Sequence, residues 1–147
     1  MFFDGDKYFL KPGGQKILDF LCTSLTKVEP QIAELRILGH TNQADPNKRN
    51  DIRDDWTLST ARAREVCIYI DQKGILEHKK LLPQGYGQNY PIAPFVNEVD
   101  RQKNRRVEIL ITEDSAVNIA IEEVYRQIDR DTDYFDAPGG TDSPGTE

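Results

Sequence analysis

The stretch from Leu35 to Ile70, LRILGHTNQADPNKRNDIRDDWTLSTARAREVCIYI, constrains this chain more than any other. A short apolar run with Ile37 and Leu38 at its centre ends in Gly39-His40-Thr41-Asn42. The run suits a strand, and Gly39 suits a close backbone approach where that strand ends. A polar segment then leads to a helix opening at Leu58-Ser59-Thr60-Ala61-Arg62-Ala63. At 100° per residue its apolar face holds Leu58, Ala63, Val66, Cys67 and Ile70, and Arg62 falls inside that stripe. A guanidinium keeps its charge, so on an inward face it needs an anion partner. The first helical turn adds free N–H groups and the positive end of the helix dipole. Two readings follow for Arg62, a structural ion pair or a site for a carboxylate-sized anion. The residues alone leave both open.

The rest of the chain reads as walls around that spot. Phe2-Phe3 suggests a short opening strand and Asp4-Gly5-Asp6 a turn. From about Gln15 to Val28 an amphipathic helix is expected, with Ile17, Leu18, Leu21, Cys22, Leu25 and Val28 on one face. Pro30 ends it, and the strand over Ile32 to His40 follows. Residues 41 to 57 show no periodicity and read as a long loop, of the kind that carries function or is disordered. The second helix runs to about Gln72, and Gly74 suits its C-terminal cap. Leu81 and Leu82 open a short strand closed by Gly85-Tyr86-Gly87, and residues 88 to 104 read as irregular. Val107, Ile109 and Ile111 mark a further strand. Val117, Ile121, Val124 and Ile128 recur at helical spacing, so a helix is expected over 115–130. The acidic, Gly/Pro-rich tail over 131–147 is expected to be disordered.

This order predicts an α/β (α+β) two-layer sandwich, with amphipathic helices on one face of a small mixed sheet and a wetter opposite face. The expected domain spans residues 1–114. A net charge of −6 argues against a nucleic-acid or anionic-membrane binder. The basic Arg101 to Arg106 cluster has no interleaved aromatics, so no nucleic acid is expected as partner. No apolar run approaches the roughly 20 residues of a membrane helix, and Met1-Phe2-Phe3-Asp4 reads directly into the first element without a leader pattern. Cys22 and Cys67 both fall on apolar helix faces, as buried thiols or as an inter-helix disulfide. His40 and His78 share no ligand spacing with each other or with the cysteines, so neither a metal nor another cofactor is expected. His40 lacks a serine or cysteine partner that would suggest catalysis.

ILGHTN, DWTLSTARAREV, GYGQNYPIAP and KNRRVEILI, in that order and spacing, resemble the OmpA-like peptidoglycan-binding domain family. The opening FFDGDKYFLKPGGQKILD resembles the family's first strand and helix, and the resemblance covers about residues 2 to 112. Within the family, Asp55-Trp56-Thr57-Leu58-Ser59 and the Gly85 to Pro94 segment look most like the stator protein of the bacterial flagellar motor, MotB. The resemblance implies a β-α-β-α-β-β order, no enzymatic activity, and a grip on the diamino acid of the peptidoglycan stem peptide. The Arg62 position takes the ligand carboxylate and the Asn42 position takes its ammonium. Asp4, Asp55 and Leu58 belong to the same implied site, which Asn104 and Arg105 would close from the other side. Two departures stand out. The family aspartate is Asn42 here, and the family asparagine before the helix is Asp55. Asp55 or Asp4 could therefore supply the missing anion, or stem-peptide preference could have shifted. The implied partners are peptidoglycan, a second copy in a homodimer, and a membrane channel subunit engaged through a membrane helix outside this chain. That describes a periplasmic, wall-facing domain of an inner-membrane-anchored protein. A wall-binding module of an outer-membrane protein or lipoprotein, or of a stator-like phage-defence motor, is the alternative.

Overall fold

The computed structural model describes residues 2–113. The expected helix over 115–130 and the acidic tail lie outside them. Helix α1 spans Pro12–Leu25, strand β1 Ile32–His40, helix α2 Ile52–Asp71, strand β2 Leu81–Gly87, helix α3 Glu98–Asn104 and strand β3 Val107–Glu113. The sheet has three strands in the order β2-β1-β3, with β1 parallel to β2 and antiparallel to β3. A parallel pair needs a crossover connection, and α2 supplies it. The α+β class, the mixed sheet and the strand over Ile32–His40 are as expected; its central place in the sheet is decided by the fold.

Leu35 and Ile37 are fully buried in β1 and pack with Ala63, Val66 and Ile70 of α2 and with Leu18, Cys22 and Leu25 of α1. On the other face of β1 the Glu34–Arg36 ion pair and the cross-strand partners Leu38 and Glu108 lie toward a more polar surface. Helix and strand meet closely at Gly39, where an added Cβ would stand 2.0 Å from the Ser59 carbonyl oxygen. Gly85 faces Thr60 in the same way, at 2.2 Å from its hydroxyl. These two glycines bring α2 down onto the end of the sheet, where the loops gather.

Four expectations are corrected. The opening Phe2-Phe3 segment is not a strand among the described residues. Its backbone is committed elsewhere: the Phe2 carbonyl accepts from Lys11 N–H at 2.9 Å, and Gly5 and Lys7 carbonyls accept from the Arg62 guanidinium. Helix α1 starts and ends three residues early, at Pro12 and Leu25, leaving Ile17 and Val28 largely exposed. Pro12 lacks the N–H that a first-turn residue would leave unsatisfied, so it starts the helix well. Helix α2 begins at Ile52, so the long loop shortens to residues 41–51. Asp51 caps it by accepting from the N–H groups of Arg53 and Asp54. The segment taken as irregular contains α3, capped by Asn97, whose side-chain oxygen accepts from Asp100 N–H at 2.9 Å. Both caps were present as Asp51 and Asn97, but the turns that follow them are exposed and carry no apolar period.

Candidate ligand-binding cavity

Residues from the N-terminal turn, the 41–51 loop, the first turns of α2 and the face of α3 enclose a cavity of about 670 Å³. Five of the residues implied by the sequence line it: Asn42, Asp55, Leu58, Arg62 and Arg105. Leu58 and Arg62 are four positions apart and share a helix face with Asp54 and Ala61, which also line it.

Arg62 is 2% exposed. Its Nε donates to the Lys7 carbonyl at 3.1 Å and one terminal nitrogen donates to the Gly5 carbonyl. The guanidinium lies 5.5 Å from the centre of the Phe3 ring. Among the described residues no carboxylate comes within ion-pair distance of it. Burial, and then repulsion from Arg105, lower its pKa to about 10, partly offset by Asp6. It therefore remains a cation at neutral pH. Two carbonyls orient it, and among the described residues no carboxylate pairs with it directly.

Asn42 stands at the end of β1. Its Nδ2 donates to the Gln43 carbonyl at 2.7 Å, which fixes which end of the amide is oxygen. The Oδ1 is buried and has no hydrogen-bond partner among the described residues. An unsatisfied buried acceptor is costly and is relieved by a donor from a ligand.

Asp55 is placed differently. It is 4% exposed, and its oxygens accept from the Thr41 hydroxyl, from Gln88 N–H at 2.8 Å and from Asn50 Nδ2 at 3.3 Å. These donors come from the end of β1, the end of β2 and the loop before α2. Its carboxylate is a clasp between three segments, with little left for a ligand. Asp4 does not line the cavity; it is exposed and pairs with Lys11 at 2.6 Å. Neither residue thus offers a free anion to replace the charge absent at position 42. Asp6, two residues on, does line the cavity.

Asn104 does not line the cavity either. Fully buried, it accepts from Ile92 and Ala93 N–H groups at 2.8 and 3.0 Å and donates to the Ala93 carbonyl at 2.9 Å. It anchors α3 and so positions Arg105. The sequence reading missed Arg101 and Asp54 as lining residues. For Arg101, the signal lay in its i, i+4 spacing to Arg105 on a helix that had not been expected.

His40 is buried at the strand end against the Tyr86 ring, with centroids 5.4 Å apart, and its ring nitrogens have no hydrogen-bond partner among the described residues. Trp56 is half exposed and outside the cavity lining. Cys22 and Cys67 are free and buried. No group of three or more metal-ligating side chains occurs among the described residues.

The OmpA family model matches residues 2–105. The chain belongs to the OmpA family. Outer membrane protein A of Shimwellia blattae is 32% identical over 116 residues, covering 73% of this chain and 46% of that protein. Motility protein B of Bacillus subtilis is 30% identical over 111 residues, covering 76% of this chain and 41% of that protein. The chain thus spans less than half the length of either relative. The crystal structure of the periplasmic domain of Helicobacter pylori MotB superposes with a TM-score of 0.67 at 21% identity, covering 86% of this chain and 79% of that one. This OmpA-family domain is a non-catalytic binding module. No helix among its described residues is long and apolar enough to cross a membrane.

Proposed function

We propose that the domain binds peptidoglycan by gripping the free end of the stem-peptide diamino acid, and that it anchors a membrane motor complex to the wall. The observation that carries this reading is Arg62, a buried cation that lines the cavity with no carboxylate at ion-pair distance among the described residues. A planar guanidinium suits bidentate pairing with a carboxylate. The unsatisfied Asn42 oxygen supplies an acceptor for the ammonium on the same ligand carbon. Asn42, Leu58, Arg62 and Arg105 make up the grip, while Asp55 and Asn104 shape it from behind.

The motor reading is supported by the likeness to Motility protein B and to the MotB periplasmic domain. In it, the chain is the wall-facing part of an inner-membrane-anchored stator subunit, working as a homodimer beside a channel subunit. The similarity to outer membrane protein A favours a second reading, a wall-binding module tethered to the outer membrane. Locating the full-length protein by membrane fractionation separates the two.

Sedimentation with isolated sacculi tests the grip. Wild type is expected to pellet and to be released by free meso-diaminopimelate, whereas Arg62→Gln stays in solution. Equal pelleting of both proteins, with no release by the diamino acid, would overturn the assignment. Circular dichroism on Arg62→Gln checks that the fold is retained.

A further inference from the structure

In the grip described above Arg62 takes the ligand carboxylate, and two further arginines, Arg101 and Arg105, line the same cavity. Arg101 of α3 and Arg105, which caps the C-terminus of that helix, are four positions apart. The Nε of each is buried and has no hydrogen-bond partner among the described residues. Arg101 places one terminal nitrogen on the Ala44 carbonyl at 3.3 Å, and Arg105 places one on the Glu98 carboxylate. A guanidinium carries five N–H donors, so both keep most of theirs for another partner. Arg105 also repels Arg62 across the same cavity. Asp6, Asp51, Asp54 and Asp55 also line the cavity, yet among the described residues none of them comes within ion-pair distance of Arg101 or Arg105. The cavity, at about 670 Å³, has the size that encloses a drug-sized ligand and not one amino-acid end alone.

We propose that Arg101 and Arg105 form a second anion subsite, which takes the carboxylate of the ligand residue next to the diamino acid held by Arg62 and Asn42. The inference rests on the proposed function and deepens it. The preferred ligand is a peptide carrying two free acid groups, one on the diamino acid and one on its neighbour. Amidation of the neighbour's carboxylate then weakens binding, because a neutral carboxamide brings donors, not charge, to two guanidiniums.

Calorimetry with three synthetic probes tests this: meso-diaminopimelate, its γ-D-glutamyl dipeptide with a free α-carboxylate, and the same dipeptide as the α-carboxamide. Wild type is expected to bind the acid dipeptide about tenfold more tightly than the amide, as expected for a charge-assisted pair. In Arg101→Gln that ratio falls toward one, while affinity for free meso-diaminopimelate is retained. Equal affinity of wild type for the acid and amide dipeptides overturns the second subsite, and that comparison needs no variant to fold. An unchanged ratio in the folded Arg101→Gln variant overturns the assignment as well. Failure of meso-diaminopimelate itself to bind removes the proposed function instead, and the subsite falls with it.

Discussion

The carboxylate of Asp55 accepts a hydrogen bond from the backbone N–H of Gln88 at 2.8 Å, joining the start of α2 to the end of β2. The last residue of β2 is Gly87, with φ +59° and room for no Cβ, since one would stand 2.2 Å from Asp55 Oδ2. With Thr41 and Asn50 also donating to it, this carboxylate sets the rim of the cavity. Asp55→Asn exchanges one accepting oxygen for an amide donor that faces other donors. The expected loss is about 1–3 kcal/mol of stability, read as a lower midpoint in urea. Restoring binding by cooling or by osmolyte would mark the effect as structural.

Asn42→Asp places a charge where the unsatisfied amide oxygen stands. An ionic acceptor in place of a neutral one is expected to add about 1 kcal/mol to the binding of an ammonium group, near a fivefold gain in affinity. Calorimetry with meso-diaminopimelate measures it. Weaker binding by the aspartate variant would show that the ammonium lies elsewhere.

Gly39→Ala drives a methyl group against the Ser59 carbonyl, a backbone atom that cannot swing aside. Separating α2 from β1 disturbs the central packing, and a loss of about 3 kcal/mol or more is expected. Thermal unfolding tests this. A variant as stable as the parent would show that helix and strand are less tightly joined than the structure has them.

His40 gives the domain an acid-sensitive term. Burial, and secondarily Arg106, lower its pKa below the ordinary imidazole value, and Glu108 at 3.7 Å opposes them. The folded state thus binds its proton less readily than the unfolded chain. The associated stability is present above about pH 6.5 and is lost as the pH falls through the lower folded value. Unfolding midpoints from pH 7.5 to 5 are expected to fall less steeply in His40→Phe than in wild type, and parallel curves would count against it.

The two thiols are expected to be silent in the native protein. Burial pushes the Cys67 thiol up to about 12 and raises that of Cys22 as well. Thiolate is the reactive form, so a disulfide reagent at pH 8 should label neither until denaturant is added. Rapid labelling of the folded protein would contradict their burial.

Much of this architecture was legible in the residues. The apolar run at Ile32 to His40, the stripe of Ala63, Val66, Cys67 and Ile70, and the alternation that turns Val107 and Ile109 onto the core are periods imposed by burial. Arg62 stood out because a charge interrupts such a stripe. Helix α3 and the first turns of α2 were hidden because most of their residues face solvent, where no period is enforced.

By itself, the sequence determined the class of fold, the helix that carries the buried arginine, and a family motif set extending from the first residues to the last strand. Tertiary structure alone decided which polar residues are free. Asp55 and Asn104 carry functional-looking side chains, yet donors and acceptors from distant segments converge on both and consume them. Among the described residues, Arg62 meets no carboxylate at ion-pair distance and the Asn42 oxygen meets no donor. The cause is physical: residue type fixes what a side chain can bond, but only the meeting of distant segments fixes what is left over for a ligand.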